Sequence, residues 1–571
     1  MHSDTVVFSQ LENRMEVHSA KWLLLTGLIS FLLPGSQQIS LPSDPTYNAG
    51  VVEFIPAMEG SPKAKVKDNM ERMKSIIESD ATKNLDILVF PEYVLNNMDM
   101  LTYVPDPKDK IAPCEVANYD WFLTELSCAA RSRKLYVVLN LMEKVKCNIL
   151  DTSCVNGLKI YNTNVVLDRE GRVMSRYRKT HLYRYEWRST NVLQQPELAT
   201  FTTDFGVTFG HFICFDMLFY NPAKILIDQL NITDIIYPTY WFSELPFLTA
   251  VQLQEGWAFA NNVNLLAADA SYPQEQNTGS GIYAGRLGRL TAIIHEEPTT
   301  KLLTAQVPKR NARSVIQLPP AVKPMFVPQL ETPRFSKMSL LRDYNVDIFT
   351  TKLLEENFIA ANQTLCHKNF CCHFDIERKL IQESANHMAY RYRLVAYSGN
   401  ATTFQRIDNS NQSVCALITC TGSELYTCGH IFPESVRVGN KYYFNRINIT
   451  GNFAKSHRRA IIPSTVNAVM MPLTVDSFMW SEVERSNTIR VEMDLTSPQQ
   501  DLLTFGIWAN YYNYVQNTHN LDEPVITASS YQPSPNPTAV TNSVASAKLH
   551  GVNLVANVLL LPILLAVLLK Y

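Results

Sequence analysis

Three residues in the first half of the chain could together perform nucleophilic catalysis by a thiol. Cys214 ends the run 206–213, which reads as a strand, and a predicted helix begins directly after it. Enzymes of the α/β class place nucleophiles at such strand-to-helix turns. Glu92 and Lys179 each follow an apolar or alternating run in the same way. The sequence therefore predicts a catalytic set of Glu92, Lys179 and Cys214.

The expected roles of these groups follow from thiol chemistry. A thiol is mostly protonated near neutral pH, whereas the thiolate is the nucleophile, so the cysteine needs a base or a positive neighbour. Glu92 can accept the thiol proton. Lys179 can act as a proton donor or stabilise the thiolate and the oxyanion formed by attack on a carbonyl carbon. The backbone N–H of Phe215 is expected to be a second oxyanion donor. Glu143, after the predicted strand 135–140, is expected to orient Lys179 or to position a water molecule.

Other interpretations of these residues stay open. A lone cysteine on an apolar strand is usually a small buried residue, a lone lysine after a hairpin is usually solvated, and Pro-Glu after a strand is often a turn. A Cys–His pair is the competing catalytic arrangement, with His181 or His211 as the base. His211 lies three positions before Cys214, so on a strand its side chain faces the opposite side.

The elements around the three residues indicate an α/β domain over residues 45–325. Residues 65–80 predict a helix with one apolar face, and residues 121–131 and 221–230 predict two more helices, the last with Asn221 as N-cap. Strands are predicted at residues 86–90, 135–140, 234–237 and 264–268, and a hairpin at residues 163–176. Buried strands that alternate with helices are typical of a layered α/β domain.

Residues 326–522 differ from residues 45–325 in their sequence pattern, which predicts a second, β-rich domain. Short strand-like runs at residues 390–397, 414–418 and 491–495 are separated by Asn, Ser and Gly. This part of the sequence contains no catalytic constellation.

Both ends of the chain predict targeting signals. Residues 1–36 contain a basic residue, a short apolar run and a small-residue exit, the layout of a signal peptide; an ordinary buried helix is the alternative. Residues 523–550 form a Pro/Ser/Thr-rich stalk, and residues 551–571 form an apolar tail. Small residues, a spacer and such a tail indicate a glycosylphosphatidylinositol anchor signal, with Asn542 and Ser543 as candidate attachment sites; a single transmembrane helix is the alternative.

An oxidising location changes how the cysteines are interpreted. The chain has 11 cysteines, and setting Cys214 aside leaves ten, an even number in each predicted domain, which fits disulfides and one free thiol. Zinc ligation by the cysteines and histidines at 366–373 is the alternative for that cluster. Five N-glycosylation sequons agree with secretion, at Asn231, Asn362, Asn400, Asn411 and Asn448.

The overall composition narrows the class of protein. A length of 571 residues and a hydrophobic fraction of 46% describe a globular protein with ample core. A formal net charge of −2 gives no electrostatic reason to expect nucleic acid as a partner.

Several motifs together resemble the vanin and biotinidase branch of the nitrilase superfamily. The glutamate, lysine and cysteine motifs of that family match residues 89–92, 176–179 and 214–219, and residues 238–241 and 279–284 are similar to further segments of this branch. The resemblance implies an α-β-β-α sandwich with a second, β-rich domain. It also implies hydrolysis of a linear, non-peptide amide without metal or cofactor, through a thioester on Cys214.

The resemblance leaves the substrate open. Vanins cleave pantetheine to pantothenate and cysteamine, and biotinidase releases biotin from biocytin. A small-molecule amide is therefore expected as the partner, with pantetheine favoured and biocytin as the alternative. An inactive adhesion or binding protein that keeps the fold is the alternative of another class. In each case we expect the protein on the extracellular face of the cell membrane, held by a lipid anchor, with a single-pass membrane protein or a secreted protein as the alternative. Its oligomeric state is left open.

Overall fold

The computed structural model describes residues 39–512, except 149, 152, 153, 155, 311–325, 383–386 and 404–407. The predicted signal peptide, stalk, tail and anchor sites Asn542 and Ser543 lie outside the described residues. None of the helices in the described part is long and apolar enough to span a membrane.

The first domain and the segment that follows it contain four α-helices and fourteen strands within the described residues. The helices are α1 (Pro62–Glu78), α2 (Trp121–Arg133), α3 (Ile225–Asp228) and α4 (Ala250–Asn261). The strands are β1 (Thr46–Glu53), β2 (Ile87–Val89), β3 (Tyr136–Lys146), β4 (Leu158–Leu167), β5 (Val173–Arg178), β6 (Thr200–Thr202), β7 (Thr208–His211), β8 (Asp234–Thr239), β9 (Glu244–Leu245), β10 (Asn264–Asp269), β11 (Ser280–Ala284), β12 (Arg289–Ile293), β13 (Lys301–Pro308) and β14 (Leu341–Arg342).

Two six-stranded sheets form the centre of this domain. Their strand orders are β13-β1-β2-β3-β4-β5 and β12-β11-β10-β8-β7-β6. The middle strands β1, β2 and β3 are parallel, as are β7, β8 and β10, so three carboxyl ends meet at one edge of each sheet. An apolar core with side chains from both sheets, such as Val89 and Ile236, fills the space between them.

Helices cover the outer faces of both sheets. The face of α1 with Val66, Met70, Met73 and Ile77 is buried against the first sheet together with α2, as its apolar spacing predicts. The side chain of Ser61 accepts a hydrogen bond from the backbone N–H of Ala64 and so caps α1. Helices α3 and α4 lie on the second sheet. The predicted α-β-β-α sandwich is confirmed.

The segment after Cys214 is less regular than predicted. Residues Cys214–Leu218 form a 3₁₀ turn, Tyr220–Lys224 a π turn, and α3 begins only at Ile225. Asn221 has extended backbone angles, as an N-cap does, but its buried side-chain amide has no hydrogen-bond partner among the described residues.

The second domain is a β-sandwich of two five-stranded sheets with its own core. Their strand orders are β15-β18-β19-β24-β21 and β16-β17-β20-β23-β22. The strands are β15 (Thr350–Leu353), β16 (Ala360–His367), β17 (Phe370–Leu380), β18 (Arg391–Thr403), β19 (Asp408–Cys420), β20 (Tyr442–Ala454), β21 (Arg459–Asn467), β22 (Phe478–Glu484), β23 (Thr488–Leu495) and β24 (Leu502–Tyr511).

The second domain packs on α4 and on the turn that carries Cys214. The side chain of Gln252 on α4 donates to Ser464 Oγ of β21 at 2.9 Å. Asn510 Nδ2 of β24 donates to the backbone oxygen of Leu218, the last residue of the 3₁₀ turn, at 3.1 Å. One apolar core contains side chains from both domains, so each domain completes the burial of the other.

Ten cysteines are paired and Cys214 is free. The disulfides join Cys114 to Cys128, Cys147 to Cys154, Cys366 to Cys371, Cys372 to Cys415 and Cys420 to Cys428. Every pair lies within one domain, which confirms the interpretation drawn from the even counts. The sulfur atoms of the 366–373 cluster, considered above as zinc ligands, are all disulfide bonded.

Candidate active site

A cavity at the carboxyl ends of β2, β5 and β7 brings the three predicted residues together. Glu92 follows β2, Lys179 follows β5 and Cys214 follows β7, and all three line one cavity of about 460 Å³. The cavity has the size typical of small-molecule sites. Three strand ends that lie far apart in the sequence therefore deliver a carboxylate, an amine and a thiol to one place.

Cys214 has an unusual backbone conformation. Its φ is 47°, in the left-handed region that costs energy for a residue with a Cβ, and it begins the 3₁₀ turn. The Sγ atom lies 3.7 Å from the backbone oxygen of Tyr240, and the hydroxyl of Tyr237 donates to the Cys214 carbonyl at 2.9 Å. These contacts hold the strained residue at the start of the turn, where its thiol lines the cavity.

The surroundings of Cys214 favour the protonated thiol. Burial raises the pKa of Cys214 well above its ordinary value, the negative charge of Glu92 raises it further, and the charge of Lys179 opposes the increase. A thiol in this state needs a base at the moment of attack.

Glu92 is positioned as that base. Its Oε1 accepts from Lys179 Nζ at 2.7 Å and from Asn162 Nδ2 at 2.6 Å, and its Oε2 accepts from the backbone N–H of Tyr240 at 3.0 Å. The side chain is 1% exposed. Burial raises the pKa of Glu92 despite the charge of Lys179, which makes its carboxylate a better proton acceptor.

Lys179 lies between two carboxylates, one of which the sequence did not reveal. Its Nζ donates to Glu92 and, at 2.9 Å, to Oε2 of Glu186. Burial lowers the pKa of Lys179, but the charges of Glu186 and Glu92 outweigh that effect and hold the pKa well above its ordinary value. Lys179 therefore stays positively charged inside the protein.

Glu186 is held in place by the loop that follows Lys179. It lies seven residues after Lys179, in the short 3₁₀ turn Glu186–Arg188, and its Oε2 also accepts from the backbone N–H of Tyr183 at 2.6 Å. An acidic residue in an irregular loop carries no periodic signal, so only its closeness to Lys179 in the sequence could have suggested it.

Glu143 pairs with Arg178 and not with Lys179. Its carboxylate accepts from Arg178 Nε at 2.7 Å and Nη2 at 2.6 Å, and from Thr163 Oγ1 at 2.9 Å. Successive side chains along a strand point to opposite faces, so a residue that reaches Arg178 lies on the wrong face for Lys179. This differs from the expectation that Glu143 orients Lys179, and Glu143 is not among the residues that line the cavity.

The two histidines have other partners. The ring of His211 is hydrogen bonded to Ser175 Oγ at 2.8 Å, and burial lowers its pKa to about 3. The ring of His181 is hydrogen bonded to Asp216 at 2.9 Å and stacks on Phe219. Neither lines the cavity, so the geometry favours Glu92 over a histidine as the base.

The remaining walls of the cavity combine aromatic, aliphatic and polar side chains. Tyr93, Tyr183, Tyr240 and Phe242 line it, with the cations Lys65 and Arg184. Phe215 packs its ring against Tyr183 and Phe219, and its backbone N–H directly follows the nucleophile. Its role as an oxyanion donor stays a prediction.

The chain matches two family models in the order of its two domains. Residues 56–317 match the carbon-nitrogen hydrolases, and residues 338–515 match the vanin C-terminal domain. Vanin-like protein 1 of Drosophila melanogaster is 42% identical over 511 residues, which cover 86% of this chain and 90% of that protein. The chain belongs to the vanin family of carbon-nitrogen hydrolases.

Two further comparisons concern an enzyme and a solved structure. The pantetheinase of Homo sapiens is 30% identical over 417 residues, 68% of this chain and 77% of its own length. A nitrilase-superfamily protein of Saccharomyces cerevisiae aligns with 48% of this chain and 93% of its own, with 20% identity and a TM-score of 0.37. As a family member with this domain organisation, the protein is a hydrolase that acts on small-molecule amides.

Proposed function

We propose that this enzyme hydrolyses pantetheine to pantothenate and cysteamine, with Cys214 as the nucleophile. The observation that carries the proposal is the convergence of Glu92, Lys179 and Cys214 in one cavity. Relatives named pantetheinase, 30% identical to this chain, support the choice of substrate.

Acylation is the first half of the reaction. Glu92 accepts the thiol proton as Cys214 Sγ attacks the amide carbonyl carbon of pantetheine, and the resulting oxyanion is stabilised by the Lys179 ammonium and the Phe215 backbone N–H. Glu92 then gives the proton to the leaving nitrogen, the C–N bond breaks, and cysteamine departs. Cys214 is left with a thioester to the pantothenoyl group.

Deacylation reverses the proton transfers. Glu92 removes a proton from water, the hydroxide oxygen attacks the thioester carbonyl, and the same donors stabilise the second oxyanion. The C–S bond breaks, pantothenate leaves, and the proton returns from Glu92 to the thiolate. Lys179 keeps its charge throughout, since Glu186 and Glu92 both stabilise its protonated form.

A comparison of substrates tests the reaction. Purified protein is supplied with pantetheine and with biocytin, and free cysteamine and free lysine are quantified, beside a Cys214→Ala variant. Cysteamine release that disappears in the variant supports the proposal. Lysine release alone identifies a biocytin hydrolase, and absence of both products supports the inactive binding protein. An active variant contradicts the nucleophilic role of Cys214.

The proposed location is the outer face of the cell membrane, through a glycosylphosphatidylinositol anchor. The five disulfides fit an oxidising compartment. Of the sequon asparagines, Asn231, Asn362 and Asn400 are exposed, and Asn411 and Asn448 are partly buried. Release of the protein from intact cells by a phosphatidylinositol-specific phospholipase tests the anchor, and retention would favour a transmembrane tail.

A further inference from the structure

A single stretch of backbone after β8 contacts both the base and the nucleophile. The N–H of Tyr240 donates to Glu92 Oε2 at 3.0 Å, and the carbonyl oxygen of Tyr240 lies 3.7 Å from Cys214 Sγ. The carbonyl of Thr239, one residue earlier, accepts from the backbone N–H of Glu92 at 3.3 Å. A shift of this stretch would therefore move Glu92 and Cys214 relative to each other.

Two buried side chains fix the next residue, Trp241. Asp269 Oδ1 accepts from the Trp241 backbone N–H at 3.0 Å, and Asn277 Nδ2 donates to the Trp241 carbonyl at 3.0 Å. Asp269 ends β10 opposite Thr239, the last residue of the parallel neighbour β8. Its carboxyl group thus reaches the first backbone groups beyond the adjacent strand end.

Asp269 is one of two buried carboxyl groups at this point. It is fully buried, and its Oδ2 has no hydrogen-bond partner among the described residues. Glu53, also fully buried, accepts from Thr278 Oγ1 at 2.6 Å and Ser280 Oγ at 2.5 Å. Burial raises the pKa of Asp269 well above its ordinary value, and the nearby Glu53 raises it further.

Because two adjacent buried carboxylates repel each other, we expect the pair to hold a proton. A carboxylic acid on Asp269 still offers its carbonyl oxygen to Trp241. An amide of the same shape would do so too, whereas an apolar side chain would not.

We propose that Asp269 is a positioning residue, which fixes the Tyr240–Trp241 backbone through its hydrogen bond and so aligns Glu92 with Cys214. The proposal rests on the catalytic roles given to Glu92 and Cys214. The proposed role requires an acceptor oxygen on residue 269 and does not require a negative charge. Asp269→Asn should therefore retain function.

The experiment compares Asp269→Asn and Asp269→Leu in the full chain. A displacement of reacting groups by about 1 Å can lower turnover about 100-fold. We expect Asp269→Leu to lower kcat by about that factor with KM changed less than about threefold, and Asp269→Asn to keep kcat within about threefold of the unaltered enzyme. The pH dependence of Cys214 alkylation by iodoacetamide, read by mass spectrometry, should be unchanged in Asp269→Asn and altered in Asp269→Leu.

Asp234 provides the matched control. It is a buried carboxyl group in β8 of the same sheet, and it accepts from Tyr47 Oη at 2.8 Å and Asn264 Nδ2 at 2.7 Å, without lining the catalytic cavity. Asp234→Leu should lower thermal stability but leave kcat of the folded fraction within about threefold, since Asp234 is hydrogen bonded to Tyr47 and Asn264 and not to the Tyr240–Trp241 backbone.

The outcomes separate this proposal from the proposed function. Unaltered kcat in Asp269→Leu, a tenfold or greater loss in Asp269→Asn, or an equal loss in Asp234→Leu each overturns the positioning role. If Asp269→Leu yields no folded protein, the result for Asp269→Asn decides. The alkylation measurement needs no substrate, so an enzyme that leaves pantetheine intact still tests Asp269.

Discussion

Replacement of Lys179 by methionine should destabilise the protein far more than replacement of a lysine in an ion pair of the same length at the surface. Lys179 Nζ lies 2.7 Å from Glu92 and 2.9 Å from Glu186, with side-chain exposures of 2%, 1% and 13%. Methionine fills a similar volume without a charge, so both carboxylates lose their cation while still buried. Removing one partner of a buried ion pair costs about 3–5 kcal/mol.

The control is Lys74→Met. Lys74 Nζ also lies 2.7 Å from a carboxylate, that of Glu125, but these side chains are 34% and 45% exposed. Water screens such a pair, and its loss costs roughly 0–1 kcal/mol. The two variants therefore match in chemical change and in distance and differ in burial.

Urea denaturation at several pH values is the assay. Without Lys179, the pKa of Glu92 should rise further above its ordinary value, so its proton is bound in the folded state and released on unfolding. A group of this kind loses its stabilising contribution as pH increases. The deficit of Lys179→Met should accordingly be largest above pH 7 and shrink towards pH 5. A deficit below about 1 kcal/mol at pH 8, or one equal to that of Lys74→Met, would show that burial does not strengthen the Lys179 ion pairs.

Two further predictions concern other buried carboxyl groups. Glu92→Gln should lower kcat by about 100- to 10,000-fold because the amide cannot accept the thiol proton. Glu143→Gln is the matched control, since Glu143 is equally buried but pairs with Arg178. An equal loss of kcat in Glu143→Gln would contradict the role of Glu92 as the base. Burial raises the pKa of Glu53 from 4.5 to about 7. Between these pH values the folded state keeps a proton that the unfolded chain releases. The contribution of Glu53 to stability therefore declines as pH rises through that interval. The free energy of unfolding should decline by about 3 kcal/mol over this interval. Urea denaturation between pH 4.5 and 8 should show the decline in the unaltered enzyme and not in Glu53→Gln. Parallel pH profiles for the enzyme and the variant would disprove the prediction.

Secondary structure and disulfide pairing could be predicted where the sequence shows a periodic pattern of apolar residues or an even number of cysteines. The four apolar residues of α1 recur at helical spacing, and the helix buries that face. The hairpin of β4 and β5 follows from alternating residues on both sides of a turn at Asp168–Gly171. The even numbers of cysteines on either side of Cys214 fit the five disulfides, because pairing within a domain needs no knowledge of the fold.

Local rules failed where a contact depends on loop geometry or on strand faces. Glu186 reaches Lys179 through an irregular loop, whose path no periodicity describes. Glu143 was expected near Lys179 because both follow strands, but the pairing of β3, β4 and β5 puts its carboxylate on the face of Arg178. The link from Asp269 to Trp241 joins two parallel strand ends that are adjacent only in the folded sheet.

The amino-acid sequence places a thiol, a carboxylate and an amine at predicted strand ends, and its odd number of cysteines leaves one of them without a disulfide partner. What these groups can do depends on the folded structure. It buries Glu92, Lys179 and Cys214 in one cavity, where loss of water raises the pKa of the thiol and of the carboxylate while two carboxylates keep the lysine charged. Burial is a property of the assembled layers, because it depends on side chains from distant strands that exclude water together.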